Sequence, residues 1–230
     1  MAGDRSLILR LVGGIAIRAT CPSCSGAPFD RACEDVDFVA GGTARAVEET
    51  FVDAGWSPSL EFNLYNGKER LIFRSGEMKA DVFLGGFKMC HRIPLGRRLG
   101  TDPIAIPLAE LLLTKLQIVE ANEKDLADAA CILLDHQPGA GDGQLVDRGA
   151  FAGPCASDWG LWRTVSATLD KVDEWASAYV PDRSAMETIR SRCAELSTLL
   201  RSTSKTLSWK ARSVLGDAIR WYELPEEVER

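Results

Sequence analysis

Asp35 and Asp37 are two carboxylates at i and i+2 within Arg31-Ala32-Cys33-Glu34-Asp35-Val36-Asp37-Phe38-Val39. Val36, Phe38 and Val39 favour an extended chain, and on a strand alternate residues share a face. Both acids would then point one way while Val36 and Phe38 pack on the other side. Adjacent carboxylates repel unless a cation lies between them. An oxygen-rich pair of this kind suits Mg²⁺ or Mn²⁺, which keep coordination positions open for substrate phosphates. Two acids at a polar strand end also occur without function, so the rest of the chain has to supply the context.

Four further groups of residues bear on that chemistry. Asp81 lies in the apolar stretch Met78-Lys79-Ala80-Asp81-Val82-Phe83-Leu84. If that strand runs beside the first, three carboxylates meet at one metal site suited to phosphoryl-type transfer; the other reading is an acid paired with Lys79 or Arg74. Gly13-Gly14 lets the backbone turn tightly and present bare amides to an anion, and it serves equally as a plain turn. Lys115 falls on the apolar face of a predicted helix, where its stem packs and its ammonium either reaches a phosphate or runs out to solvent. Asp125 and Asp128, about one turn apart, read as surface acids or as a polar brace for the site.

The elements that must position these groups follow in order. Ser6 caps a short helix over 7–11, or the same segment is a buried strand. Residues 19–34 read as a loop. Its Cys21 and Cys24 form a C-x-x-C pair, and Cys33 is a third sulfur. Zinc with Cys90 or His91 as fourth ligand is one reading, against which no second C-x-x-C or histidine pair completes the set. Thr43 caps an amphipathic helix ending at Ala54, before Gly55. Strands over 60–65 and 70–74 are expected to join in a hairpin at Asn66-Gly67. Residues 85–103 read as loops, with a short strand at 104–106. A helix then runs from Pro107, with Leu108, Leu111, Leu112, Lys115, Leu116, Ile118 and Val119 on one side and Glu110, Thr114 and Gln117 opposite. A second helical run covers 122–134.

The chain has 230 residues, 46% of them hydrophobic, which suffices for a sizeable core. No apolar run approaches the roughly 20 residues needed to cross a membrane. That, the absence of a signal-peptide pattern, and seven scattered cysteines lead us to expect a cytoplasmic protein. A formal charge of −6 excludes a uniformly basic nucleic-acid binder. A local basic surface remains open, because Arg183, Arg190, Arg192, Arg201, Lys205, Lys210, Arg212 and Arg220 outnumber the acids around them. The expected organisation is a domain over 1–137, a Gly- and Asp-rich linker over 138–154, and a helical domain over 155–230 with helices near 158–179, 184–201 and 205–221. Trp159, Trp162, Trp175, Trp209 and Trp221 read as its packing residues, or, beside arginines, as a surface for a base to stack on.

Taken in order, these pieces resemble the nucleotidyltransferase superfamily, most closely the AbiEii and MenT type of toxin nucleotidyltransferases. The resemblance covers about residues 7 to 135. It rests on Gly13-Gly14, on Arg31 to Asp37, on Asp81, on Lys115 and on Lys124-Asp125-Leu126-Ala127-Asp128. It implies an α+β fold, a mixed sheet flanked by helices, followed by the small helical C-terminal domain. It further implies Mg²⁺- or Mn²⁺-dependent transfer of a nucleoside monophosphate from an NTP. Asp35, Asp37 and Asp81 would hold metal, with Lys115 among the catalytic groups, and Gly13, Gly14, Arg18, Cys33, Lys115, Asp125 and Asp128 would bind nucleotide. The tRNA 3′ end is the implied acceptor and a cognate antitoxin the implied partner. A small-molecule acceptor of antibiotic type, and a non-catalytic nucleotide-binding regulator, are the alternatives. Cys33 departs from the serine or threonine usual at its position, and the loop before Asp35 is long.

Overall fold

The computed structural model describes residues 7–224, so Ser6 lies outside the described residues. Strand β1 (Ile8–Val12) leads directly into helix α1 (Gly13–Thr20), followed by β2 (Asp35–Gly41), α2 (Ala44–Asp53), the short β3 (Ser57–Pro58), α3 (Leu60–Asn66), β4 (Arg70–Ser75) and β5 (Met78–Leu84). A small hairpin, β6 (Gly86–Lys88) and β7 (Arg92–Pro94), precedes α4 (Leu108–Leu116) and α5 (Glu123–Asp135). The two-residue strands β8 (Pro138–Gly139) and β9 (Val146–Asp147) pair with each other. Helices α6 (Arg148–Ser157), α7 (Trp159–Tyr179), α8 (Arg183–Ser202) and α9 (Leu207–Ser213) complete an α+β architecture.

The main sheet is mixed, with strand order β1-β2-β5-β4-β3. Its central pair, β2 and β5, runs parallel, while β1, β4 and β3 join antiparallel. The period-two alternation of strands sorts the side chains onto two faces. Ala40, Ala80 and Val82 pack with Val47 and Phe51 of α2, where Phe51 stacks on Phe73 at 4.4 Å. Val39 and Phe83 point the other way, into a larger cluster with Ile17, Leu111, Leu112 and Ile132. Asp35 and Asp37 share the parity of Val39, and Asp81 that of Phe83, so all three acids lie on the face covered by α1, α4 and α5.

The expected hairpin at Asn66-Gly67 is replaced by a helix. Residues 60–65 belong to α3, and the tight turn falls instead at Gly76, φ +60°, between β4 and β5. Asn63 of α3 supplies what a strand backbone would have. Its side-chain oxygen accepts from the Ile72 N–H at 2.8 Å and its amide donates to the Ile72 carbonyl at 3.2 Å, continuing the pairing that β3 begins. A local Asn-Gly signal cannot register this competing side-chain partner.

Other boundaries shift for tertiary reasons. Of the two readings for 7–11, the strand holds, over Ile8–Val12, and 104–106 form only an isolated bridge to Leu11. The loop expected over 19–34 begins only after Thr20, because residues 19 and 20 complete α1, and it holds a 3-10 turn at Pro22–Ser25. The polar side of α4 is covered as well as its apolar one: Glu110 is ion-paired with Arg98, and Gln117 accepts from the His91 N–H at 2.7 Å. The stretch read as a linker holds α6, whose Phe151 and Cys155 are fully buried. One apolar cluster runs from Val12 and Ile17 through Ile132 to Phe151, Leu169, Ile189 and Leu196, so α6, α7 and α8 share a core with α1, α4 and α5. The helix expected over 205–221 stops at Ser213; the chain then turns back so that Trp221 donates to Thr164 at 3.1 Å and meets Trp159 edge-on. Among the described residues, no helix is long and apolar enough to cross a membrane.

Candidate active site

Strand register places the acids first. In the parallel β2–β5 pair, Asp37 stands opposite Asp81 and Asp35 opposite Lys79. Asp35 is exposed, Asp37 partly buried and Asp81 buried. Lys79 reaches both neighbours, 2.9 Å from Asp81 and 3.6 Å from Asp35, and Arg70 of β4 lies 2.7 Å from the other Asp81 oxygen. Asp81 is therefore neutralised by two protein cations, close to the alternative in which a strand acid pairs with basic neighbours; the second partner is Arg70 rather than Arg74. Burial, reinforced by the charges of Asp81 and Asp35 against the partial relief of Lys115 and Arg70, pushes the Asp37 carboxyl up to about 6.

The glycine pair explains itself at this point. Val12 is the register partner of Asp37, and the chain turns from β1 into α1 at Gly13, φ +71°. A Cβ on Gly13 would lie 2.3 Å from an Asp37 carboxylate oxygen; one on Gly14 would lie 2.5 Å from the Arg31 guanidinium and 3.0 Å from the Cys33 sulfur. Only bare backbone fits between these side chains. The first turn of α1, with amides that have no partner within the helix, is thus seated against the acid pair.

Lys115 comes from the last turn of α4, with 13% of its side chain exposed. Its ammonium sits 2.9 Å from Asp128 and 3.1 Å from Asp125. Burial opposes its charge, yet the two carboxylates outweigh burial and hold its proton more tightly than in water. Both acids are fixed by α5. Asn122 and Asp125 form a reciprocal capping box at its N-terminus, and Asp128 follows one turn on, where Arg31 grips it at 2.5 and 3.1 Å. The result is a chain of alternating charges, Arg31–Asp128–Lys115–Asp125, along one wall.

A cleft of about 160 Å³ opens between these groups, lined by Gly14, Arg31, Ala32, Cys33, Glu34, Asp35, Asp37, Lys115 and Lys124. Hard oxygens from Asp35 and Asp37 line it together with the ammonium groups of Lys115 and Lys124, the Arg31 guanidinium and the backbone at Gly14. Such a cleft can take a divalent cation together with a polyphosphate. Arg18 does not line it: its guanidinium donates to Asp30 at 2.8 Å and to the Arg31 carbonyl, bracing the loop that delivers Arg31. Arg31 and Lys124, which the sequence placed in motifs without a site role, line the cleft; Lys79 was weighed as a partner of Asp81, and Arg70 is the neighbour that sequence reasoning left out. Lys79 shares a strand face with Asp81, a signal available beforehand, whereas Arg70 depends on the β4–β5 register.

Other expected groups lie elsewhere. Cys90 and His91 do not join Cys21 and Cys24; His91 contacts Thr164 at 2.9 Å. Several of the C-terminal basic residues are engaged within the chain. Arg190 pairs with Asp173 at 2.8 Å, Arg192 donates to the carbonyls of Leu133 and Leu134, and Arg212 lies 4.5 Å above the Trp159 ring.

No family model and no curated protein matches this chain. Among solved structures, a tRNA nucleotidyltransferase complexed with a primer tRNA and an incoming ATP analog aligns over 96% of this chain and 62% of its own, at 14% sequence identity and a TM-score of 0.29.

Proposed function

We propose that this chain is a metal-dependent nucleotidyltransferase that moves a nucleoside monophosphate from an NTP to an acceptor hydroxyl. The observation that carries the reading is the seating of Asp37 against the Gly13 turn, in a cleft that Asp35 and Lys115 also line. The donor set fits Mg²⁺ or Mn²⁺: two carboxylates on one strand face, one of them raised to about 6 by burial and by the neighbouring charges of Asp81 and Asp35. Asp35 and Asp37 would hold the cation, which when bound offsets charge developing on the α-phosphate and the leaving pyrophosphate. Asp81, occupied by Lys79 and Arg70, acts in this scheme through its charge on Asp37 and not as a free base. The amides of Gly13 and Gly14 and the Lys115 ammonium orient the triphosphate, and Arg31 and Lys124 receive its outer oxygens. The acceptor oxygen bonds to the α-phosphorus as the bond to pyrophosphate breaks, and the acceptor's proton passes to water.

The resemblance to AbiEii and MenT proteins supports a finer reading, in which the acceptor is a tRNA 3′ end and the chain is the toxin of a toxin–antitoxin pair. The test incubates the purified protein and Mg²⁺ with each α-labelled NTP in turn, offering total tRNA and, separately, hydroxyl-bearing antibiotics. Label on tRNA that disappears with Asp37→Asn is the expected result. Label on neither acceptor overturns the enzymatic reading, and label on the antibiotic alone overturns the RNA acceptor.

A further inference from the structure

About three helical turns of α5 connect the cleft to a second cluster. Cys131 and Asp135 lie one turn apart on α5, on the stripe that also carries Asp128. Cys21, which precedes the 3-10 turn after α1, and Cys24, within it, meet them: one ligand atom each from Cys21, Cys131 and Asp135 all fall within 4.8 Å of one another, and the Cys24 sulfur is 2.6 Å from that of Cys131. The three cysteines are buried, at 1%, 5% and 0% exposure for Cys21, Cys24 and Cys131. Ser23, between the first two, donates both its N–H (2.9 Å) and its hydroxyl (2.5 Å) to the Asp135 carboxylate and so aims it.

We infer that Cys21, Cys24, Cys131 and Asp135 form a tetrahedral zinc site, separate from the cleft and independent of the proposed transferase activity. The C-x-x-C on one element matches one half of the spacing of structural zinc sites, and the C-x-x-x-D on the helix keeps the i, i+4 spacing of the other half with a carboxylate as its second ligand. Ser23 provides the outer hydrogen bonds that such ligands need. Tetrahedral zinc keeps sulfur ligands roughly 3.8 Å apart, so its entry parts Cys24 from Cys131 by about 1 Å. A Cys24–Cys131 disulfide would use two of the four groups, leave Cys21 and the carboxylate without a role, and require an oxidant. Zinc uses all four. It would clamp the end of α1, whose start carries the glycine turn, to α5, which carries Asp125 and Asp128.

The decisive measurement titrates reduced, metal-stripped full-length protein with Zn²⁺ against a chromophoric chelator and repeats it with Co²⁺. One zinc per chain, bound more tightly than about 10 nM, is expected. The cobalt form should show the thiolate charge-transfer and intense visible bands of a tetrahedral sulfur site. Cys24→Ser and Cys131→Ser should lose both signals, while Cys193→Ser, on α8, retains them. The wild-type cobalt spectrum decides the matter even if the serine variants fold poorly. No tight zinc, zinc that survives Cys131→Ser but leaves with Asp37→Asn, or a Cys24–Cys131 disulfide persisting in reducing buffer with zinc present would each overturn the site. None of these outcomes depends on nucleotidyl transfer, so failure here and failure there are distinguishable.

Discussion

Asp37 carries the sharpest residue-scale consequences. Its carboxyl titrates near 6 in the folded chain, above the ordinary aspartate value, so the fold disfavours its ionised form. The sign follows from linkage: between about pH 4 and pH 6 the folded state binds more protons than the unfolded one, so stability falls as pH rises across that window and the full penalty stands above it. Asp37→Asn removes the penalty. In metal-free protein it should gain about 3 kcal/mol in urea denaturation near pH 8 and gain nothing near pH 4, while abolishing NTP-dependent transfer. Gly13 is the second such residue. Alanine there combines a strained φ of +71° with a Cβ at 2.3 Å from the Asp37 carboxylate, so Gly13→Ala should lower stability by about 1–2 kcal/mol and push the acid pair out of place. A thermal melt alongside a transfer assay checks both effects.

Elements bring these residues together by different means. The β2–β5 register sets Asp37 beside Asp81, and the direct passage of β1 into α1 sets the glycine turn beside Asp37. The capping box of α5 holds Asp125 toward Lys115. On the far edge, α3 docks through Asn63 onto the backbone of Ile72. Asn63→Leu removes both bonds while keeping the side chain's size. We expect a loss of about 1–2 kcal/mol and a thermal midpoint lower by about 3–6 °C, with transfer activity little changed, because both bonds lie on the edge of β4 that faces away from β5, and Ile72 does not line the cleft. Hydrogen exchange should show the Ile72 amide losing protection first.

Across the whole molecule, the continuous apolar cluster from α1 to α8 makes the C-terminal helices part of the core that supports the site. A chain cut after residue 154 would expose the faces of α4 and α5 that Leu161, Leu169 and Leu196 cover. Residues 1–154 alone should therefore fail to give a cooperative melt, whereas the full chain unfolds in a single transition by circular dichroism and by tryptophan fluorescence. Two separate transitions, with the first fragment stable alone, would contradict this.

Much of the site was legible before any coordinates, because its signals are local. A D-x-D pair among strand-forming residues, a glycine pair at a turn, a lysine on the apolar face of a helix and two acids one turn apart depend on spacing within one element. The strand Met78–Leu84, the helix after Thr43 and the helix start at Asn122 were legible for the same reason. What the tertiary structure alone decided were pairings across elements. Asp81 is neutralised by Arg70 through the β4–β5 register. Asn63 displaces a backbone strand, Arg18 turns away to Asp30, and Cys21 and Cys24 find Cys131 more than a hundred residues along instead of Cys33 or Cys90. Local spacing determines which faces a segment can present; which partner meets each face depends on long-range packing, which no short window of the chain contains.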